Sequence, residues 1–192
     1  IEILALYAES ASNVDDPIKY LADARVFVFG PTHDRCYQPP AMENVASFHR
    51  RYARNASQVR LVADQPFPHT LPTNSTPYFN HSSPAGYDGP GECLRHVFGN
   101  EEHLEPAVPS MRKDFWLLVD VEEFVTDIGV RMFPWAWLFL PPRCKTGVCK
   151  LLVLPGGCQP FVPPEGSDDD FARYALVNSI VILKPCAGRP LD

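Results

Sequence analysis

The chain has 192 residues and a formal net charge of −6. That length suffices for one domain with a sizeable core, and no basic cluster beyond Arg50-Arg51 offers nucleic acid a footprint. The longest apolar run, residues 133–142, is too short to span a bilayer.

Residues 1–23 carry a short helical pattern from Ile3 to Tyr7, a turn over residues 13–17 and a half-turn over residues 18–21. The chain opens on Ile1 and lacks the basic and apolar regions of a signal peptide, so a processed or truncated start is expected. Residues 24–73 organise the rest. Two β-branched and aromatic runs, residues 25–29 and 59–62, flank residues 42–54, where Val45, Phe48 and Tyr52 recur at helical spacing. This predicts a β-α-β unit with parallel strands and a crossover helix.

Each of those strands runs into a Gly/Pro-rich loop, the first carrying Asp34 and the second His69. In an open parallel sheet, sites form beyond the carboxyl ends of the strands. There an Asp can fix the tautomer of a His and stabilise its imidazolium, while the His serves a nucleophile as general base. Acid before His is also the chain order of α/β-hydrolases. The same Asp would equally suit a turn or cap, and a His beside a Pro need do nothing.

A polar loop, residues 74–91, follows, with tight turns over residues 86–91 and Asp88 in a turn role. A short helix is predicted over residues 92–99, closed by Gly99. A Pro-containing linker over residues 101–110 divides the chain into halves 1–100 and 101–192. In the second half, residues 115–119 and 130–140 suit an antiparallel start to a sheet. Residues 149–154 and 179–183 are unbroken apolar runs, expected of central parallel strands covered on both faces. Between them, Pro155-Gly156-Gly157-Cys158-Gln159 is either a tight turn or a set of free N–H groups able to hold an oxyanion. Asp168-Asp169-Asp170 opens a helix through Leu176, negative charge at its positive end.

Sequons at Asn55, Asn74 and Asn80 accompany six Cys residues. Together they point to an extracellular, secreted, glycosylated and disulfide-bonded protein. Spacing does not fix the connectivity. The expected pairs are Cys144 with Cys149, Cys158 with Cys186, and Cys36 with Cys93. There is no repeat, CxxC pair, HExxH or phosphate loop, so neither cofactor nor metal is expected.

The strings Ser10-Ala11-Ser12-Asn13-Val14-Asp15-Asp16-Pro17, VFVFGPTHD, HTLPT, GYDGPGECLRHVFG and CKLLVLPGGCQ occur in that order. Together they resemble extracellular polyhydroxybutyrate depolymerases and related secreted esterases. Bacterial members place the oxyanion strand first, then the nucleophile, then Asp and His. Here the Asp/His unit comes first, which resembles the circularly permuted fungal form of the same α/β-hydrolase fold. The resemblance covers roughly residues 5–185. It implies a mostly parallel α/β sheet, Asp34 as triad acid, His69 as base and Cys158 in the oxyanion turn.

The sequence departs from that pattern at Gly156, where the family has His, and at Lys184-Pro185-Cys186, where it has Tyr-Pro-Gln. No Gly-x-Ser-x-Gly elbow occurs within the 192 residues. In the permuted order that segment precedes Ile1, and the sheet in this chain is incomplete, lacking two middle strands. A second polypeptide, an internal cleavage before Ile1, or a rewired fold would account for this. Two functions are expected: hydrolysis of an ester or polyester with a Ser from elsewhere, or an inactive relative kept as a structural or binding subunit of an extracellular assembly. No nucleic acid or membrane partner is expected.

Overall fold

The computed structural model describes residues 20–73, 87–99, 103–109, 115–124, 132–157 and 167–187. The features expected within residues 1–19, together with Asn74, Asn80 and Cys158, lie outside the described residues. The chain divides into two compact units, Ile1–His103 and Leu104–Asp192, and the boundary falls in the expected linker.

In the first unit, β1 (Val26–Phe29) and β2 (Val59–Val62) pair in parallel, Val26 opposite Val59 and Phe29 opposite Val62. Helix α1 (Pro39–Tyr52) makes the crossover. It starts three residues before Met42 because Pro39 and Pro40 occupy its first turn, where a missing N–H costs nothing. Its inward face also differs from expectation. Ala46 is fully buried, packing with Val28, Val59 and Met42, whereas Val45 is exposed. A small side chain lets the helix backbone approach the strands closely. Helix α2 (Gly89–Phe98) likewise starts before residue 92, with the Asp88 side chain accepting from Gly91 N–H as its N-cap. At Gly89 a Cβ would lie 2.7 Å from the Pro72 carbonyl oxygen. The absence of a side chain there lets the segment after His69 rest on the first turn of α2.

In the second unit, β3 (Trp116–Asp120), β4 (Met132–Phe139), β5 (Lys150–Val153) and β7 (Ile180–Ala187) are ordered β3-β4-β7-β5, and the short β6 (Gly156–Gly157) also pairs with β7. β3 and β4 are antiparallel, as are β4 and β7, while β5 and β6 run parallel to β7. The expected antiparallel start and the parallel pair are thus both present. β7 extends four residues beyond Leu183, through Pro185, which sits where the β4–β7 register shifts. Helix α3 (Ser167–Asn178) packs on β7, burying Phe171, Ala172, Tyr174 and Ala175 near Ile180 and Ile182.

Two expectations need correction here. β5 is not covered on both faces: Leu151 and Val153 are 60% and 46% exposed, and among the described strands β5 is bonded on one side only. The Gly156–Gly157 segment runs on as a strand along Cys186 and Ala187, so it is not a free turn.

Candidate active site

The parallel ladder does not stop where β1 and β2 end. Gly30 N–H donates to Val62 O, Thr32 N–H to Gln65 O and His33 N–H to Phe67 O, so the two post-strand loops travel side by side. Phe67, 1% exposed, anchors the second loop against Phe29 and Tyr87. One residue past His33 and two past Phe67, the side chains of Asp34 and His69 meet: Asp34 Oδ2 lies 2.9 Å from His69 Nδ1. Adjacency of the strands, continued by three loop hydrogen bonds, is what brings the pair together.

The acid is a fixed acceptor. Asp34 is buried, and its Oδ1 accepts from Cys36 N–H at 2.7 Å and Tyr37 N–H at 3.0 Å. Burial works against its charge, but the His69 hydrogen bond and the two backbone donors outweigh it and hold the carboxyl below its ordinary value of 3.8. A carboxylate facing Nδ1 sets that nitrogen as the donor and leaves Nε2 with the lone pair a general base needs. The His69 side chain is 55% exposed, so this base is open to a reactant, and the Tyr37 ring lies against it at 5.2 Å between centroids.

A depressed carboxyl contributes stability that is present above the ordinary value and lost as pH falls through the folded one. Asp34→Asn is therefore expected to destabilise the protein near neutral pH. The difference from wild type should shrink once the pH falls below about 3.8. Urea unfolding across that range checks this; a difference independent of pH would contradict it.

Two residues that the pattern did not single out for the site stand beside the pair. Tyr37 is one. The other is Cys36, whose Sγ, with a carboxylate oxygen of Asp34 and a ring nitrogen of His69, forms a set lying within 4.8 Å of one another. This is a donor set suited to a metal ion. Its only sequence signal is position, two residues after an Asp whose carboxylate gathers the following N–H groups.

The cysteines divide as follows. Cys144 and Cys149 are bonded, as expected, and Cys186 is disulfide-bonded too, its expected partner Cys158 lying outside the described residues. Cys36 and Cys93 are free, which corrects the third pair. Cys36 is held at the surface by the Asp34 turn, while Cys93 sits part-buried on α2, where burial pushes its thiol up to about 11. Among the sequons, Asn55 is exposed and caps a 3-10 turn, accepting from Ser57 N–H while its own N–H donates to Gln58. Asp88, as noted, is a cap. His96 is buried and bonds the Gln58 carbonyl, a structural role.

No protein-family model matches the chain. A poly(3-hydroxybutyrate) depolymerase from Delftia acidovorans is 24% identical over 196 residues, spanning 92% of this chain and 37% of its own length. Among solved structures, a polyhydroxybutyrate depolymerase complexed with an R3HB trimer superposes with a TM-score of 0.76 at 19% identity. It covers 98% of this chain and 62% of its own. The Penicillium funiculosum polyhydroxybutyrate depolymerase gives 0.74 at 20% identity, over 96% of this chain and 61% of its own. The chain thus spans about three-fifths of those structures and little more than a third of the curated relative. The fold is α/β-hydrolase-like, shared with these depolymerases. Among the described residues no helix is long and apolar enough to cross a membrane.

Proposed function

We propose that the chain is part of a secreted carboxylic-ester hydrolase of the circularly permuted depolymerase type, with Asp34 and His69 as acid and base of a catalytic triad. The observation that carries this is the 2.9 Å contact between Asp34 Oδ2 and His69 Nδ1 on successive parallel strand ends, with the His exposed. The likeness to depolymerases over nearly the whole chain supports it.

The nucleophile in this reading is a Ser outside these 192 residues, on a sharp strand-to-helix turn. His69 Nε2 takes the Ser proton as the hydroxyl attacks the ester carbonyl, Asp34 stabilises the imidazolium, and the proton passes to the leaving alcohol. Water then repeats the sequence on the acyl-enzyme. The segment bearing the Ser, whether a second polypeptide or a further stretch of the same one, adds its strand to the side of β5 that carries no partner among the described residues. Leu151 and Val153 support this, since a strand that apolar is made to be covered. The substrate class is an ester or polyester of a hydroxy acid.

The test is hydrolysis by native protein of a soluble short-chain ester and of a 3-hydroxybutyrate oligomer. Turnover of at least one is expected. Inertness towards both would leave the hydrolase-like structural or binding subunit as the better reading.

A further inference from the structure

We propose that Asp34, Cys36 and His69 form a binding site for one thiophilic divalent cation, of which Zn2+ is the best match. The three donors are a carboxylate, a thiol and an imidazole, the ligand types that Zn2+ takes in mixed sites. They lie within 4.8 Å of one another. Metal–ligand lengths of about 2.0–2.3 Å in a tetrahedron place ligand atoms roughly 3.3–3.7 Å apart. The required contraction is thus about 1 Å. Cys36 and His69 are exposed and free to make it, while Asp34 is the fixed point, its other oxygen held by Cys36 N–H and Tyr37 N–H. Those two bonds leave Oδ2 to the metal and act as the second layer that orients a ligating carboxylate. The exposed side of the set leaves the fourth position to water. Cys36 has no disulfide partner, so its sulfur is available.

The charges and protons close. Asp34 is already a carboxylate, and binding releases the Cys36 thiol proton to solvent. The two negative ligands then balance the cation. On the imidazole, the nitrogen facing Asp34 is Nδ1. Metal on Nδ1 takes the place of its proton, which moves to Nε2 with no net loss. The consequence, which rests on the hydrolase reading, is that a metallated His69 has no lone pair at Nε2 and cannot serve as general base. A thiophilic metal would therefore be an inhibitor that a chelator reverses.

The experiment is titration of the full chain, its disulfides intact, with Co2+, followed by Zn2+. A thiolate-to-cobalt charge-transfer band should grow to one equivalent and vanish as Zn2+ displaces the cobalt. Cys36→Ser, a surface change, should abolish the band and weaken Zn2+ binding at least about 100-fold, beyond the loss typical of an outer-layer partner. Asp34→Asn should weaken it as well, and Cys93→Ser should change neither. Absence of a thiolate band, or a band that survives Cys36→Ser, would overturn the proposal. The band reports ligation whether or not esters are cleaved, so failure of this site and failure of the hydrolase reading are separately visible.

Discussion

Asp34→Asn in the complete native protein is expected to lower kcat for ester hydrolysis by about 10^4, equivalent to roughly 5.5 kcal/mol of transition-state stabilisation. The reason lies in the tautomer. Asp34 Oδ2 accepts from His69 Nδ1, and an amide presenting N–H there would turn the ring to its other tautomer, with the proton on Nε2. The fold has little reason to change, because Asn keeps an oxygen for the Cys36 and Tyr37 N–H groups. Substrate KM should therefore move little while kcat collapses, which stopped-time assays with a soluble ester separate. His69→Ala should lose about as much, and the double variant little more than either, since the two act as a unit. Full activity in either single variant would remove the pair from the mechanism.

The second large effect is expected at β5, with opposite signs in two settings. Leu151 and Val153 share one face of the strand and are 60% and 46% exposed. Covering the roughly half of each side chain that is still exposed is worth about 0.8–1.5 kcal/mol each. Leu151→Lys with Val153→Lys should therefore destabilise the complete protein by about 1.5–3 kcal/mol. In the 192-residue chain alone, the same change should suppress self-association, since charge on an exposed apolar edge is how sheets resist edge pairing. Denaturant unfolding and light scattering read the two effects. If β5 faces water in the working protein, its unfolding free energy should instead stay within about 0.5 kcal/mol of wild type, as for ordinary surface changes.

The contrast between the units shows what a sequence can disclose. Residues 25–29 and 59–62 are short β-branched runs around a helical period, and they paired in the expected sense. Their loops were legible because a parallel pair puts both exits on one side, so Asp34 and His69 had to come near each other. The inward face of α1 was not legible. Val45 is the more apolar residue, but Ala46 fits the close approach to Val28 and Val59. Residues 149–154 read as a buried strand because apolarity reports what a segment is made to pack against, whereas among the described residues β5 is bonded on one side only and leaves Leu151 and Val153 exposed. The start of α2 was hidden by Gly89-Pro90-Gly91, which reads as a turn until the Asp88 cap is seen to take the Gly91 N–H. Cys36 was read only as half of a disulfide. A carboxylate that gathers the Cys36 and Tyr37 N–H groups folds the loop back and sets that thiol beside His69, a local geometry no periodicity encodes.

The most direct test of the central claim is labelling of native material with a fluorophosphonate probe, with the modified residue located by peptide mass mapping. Labelling is expected at a single Ser outside these 192 residues, and it should disappear in His69→Ala while the protein remains folded. A native protein that takes up no label, or labelling that persists in His69→Ala, would contradict the assignment of Asp34 and His69 to a serine hydrolase.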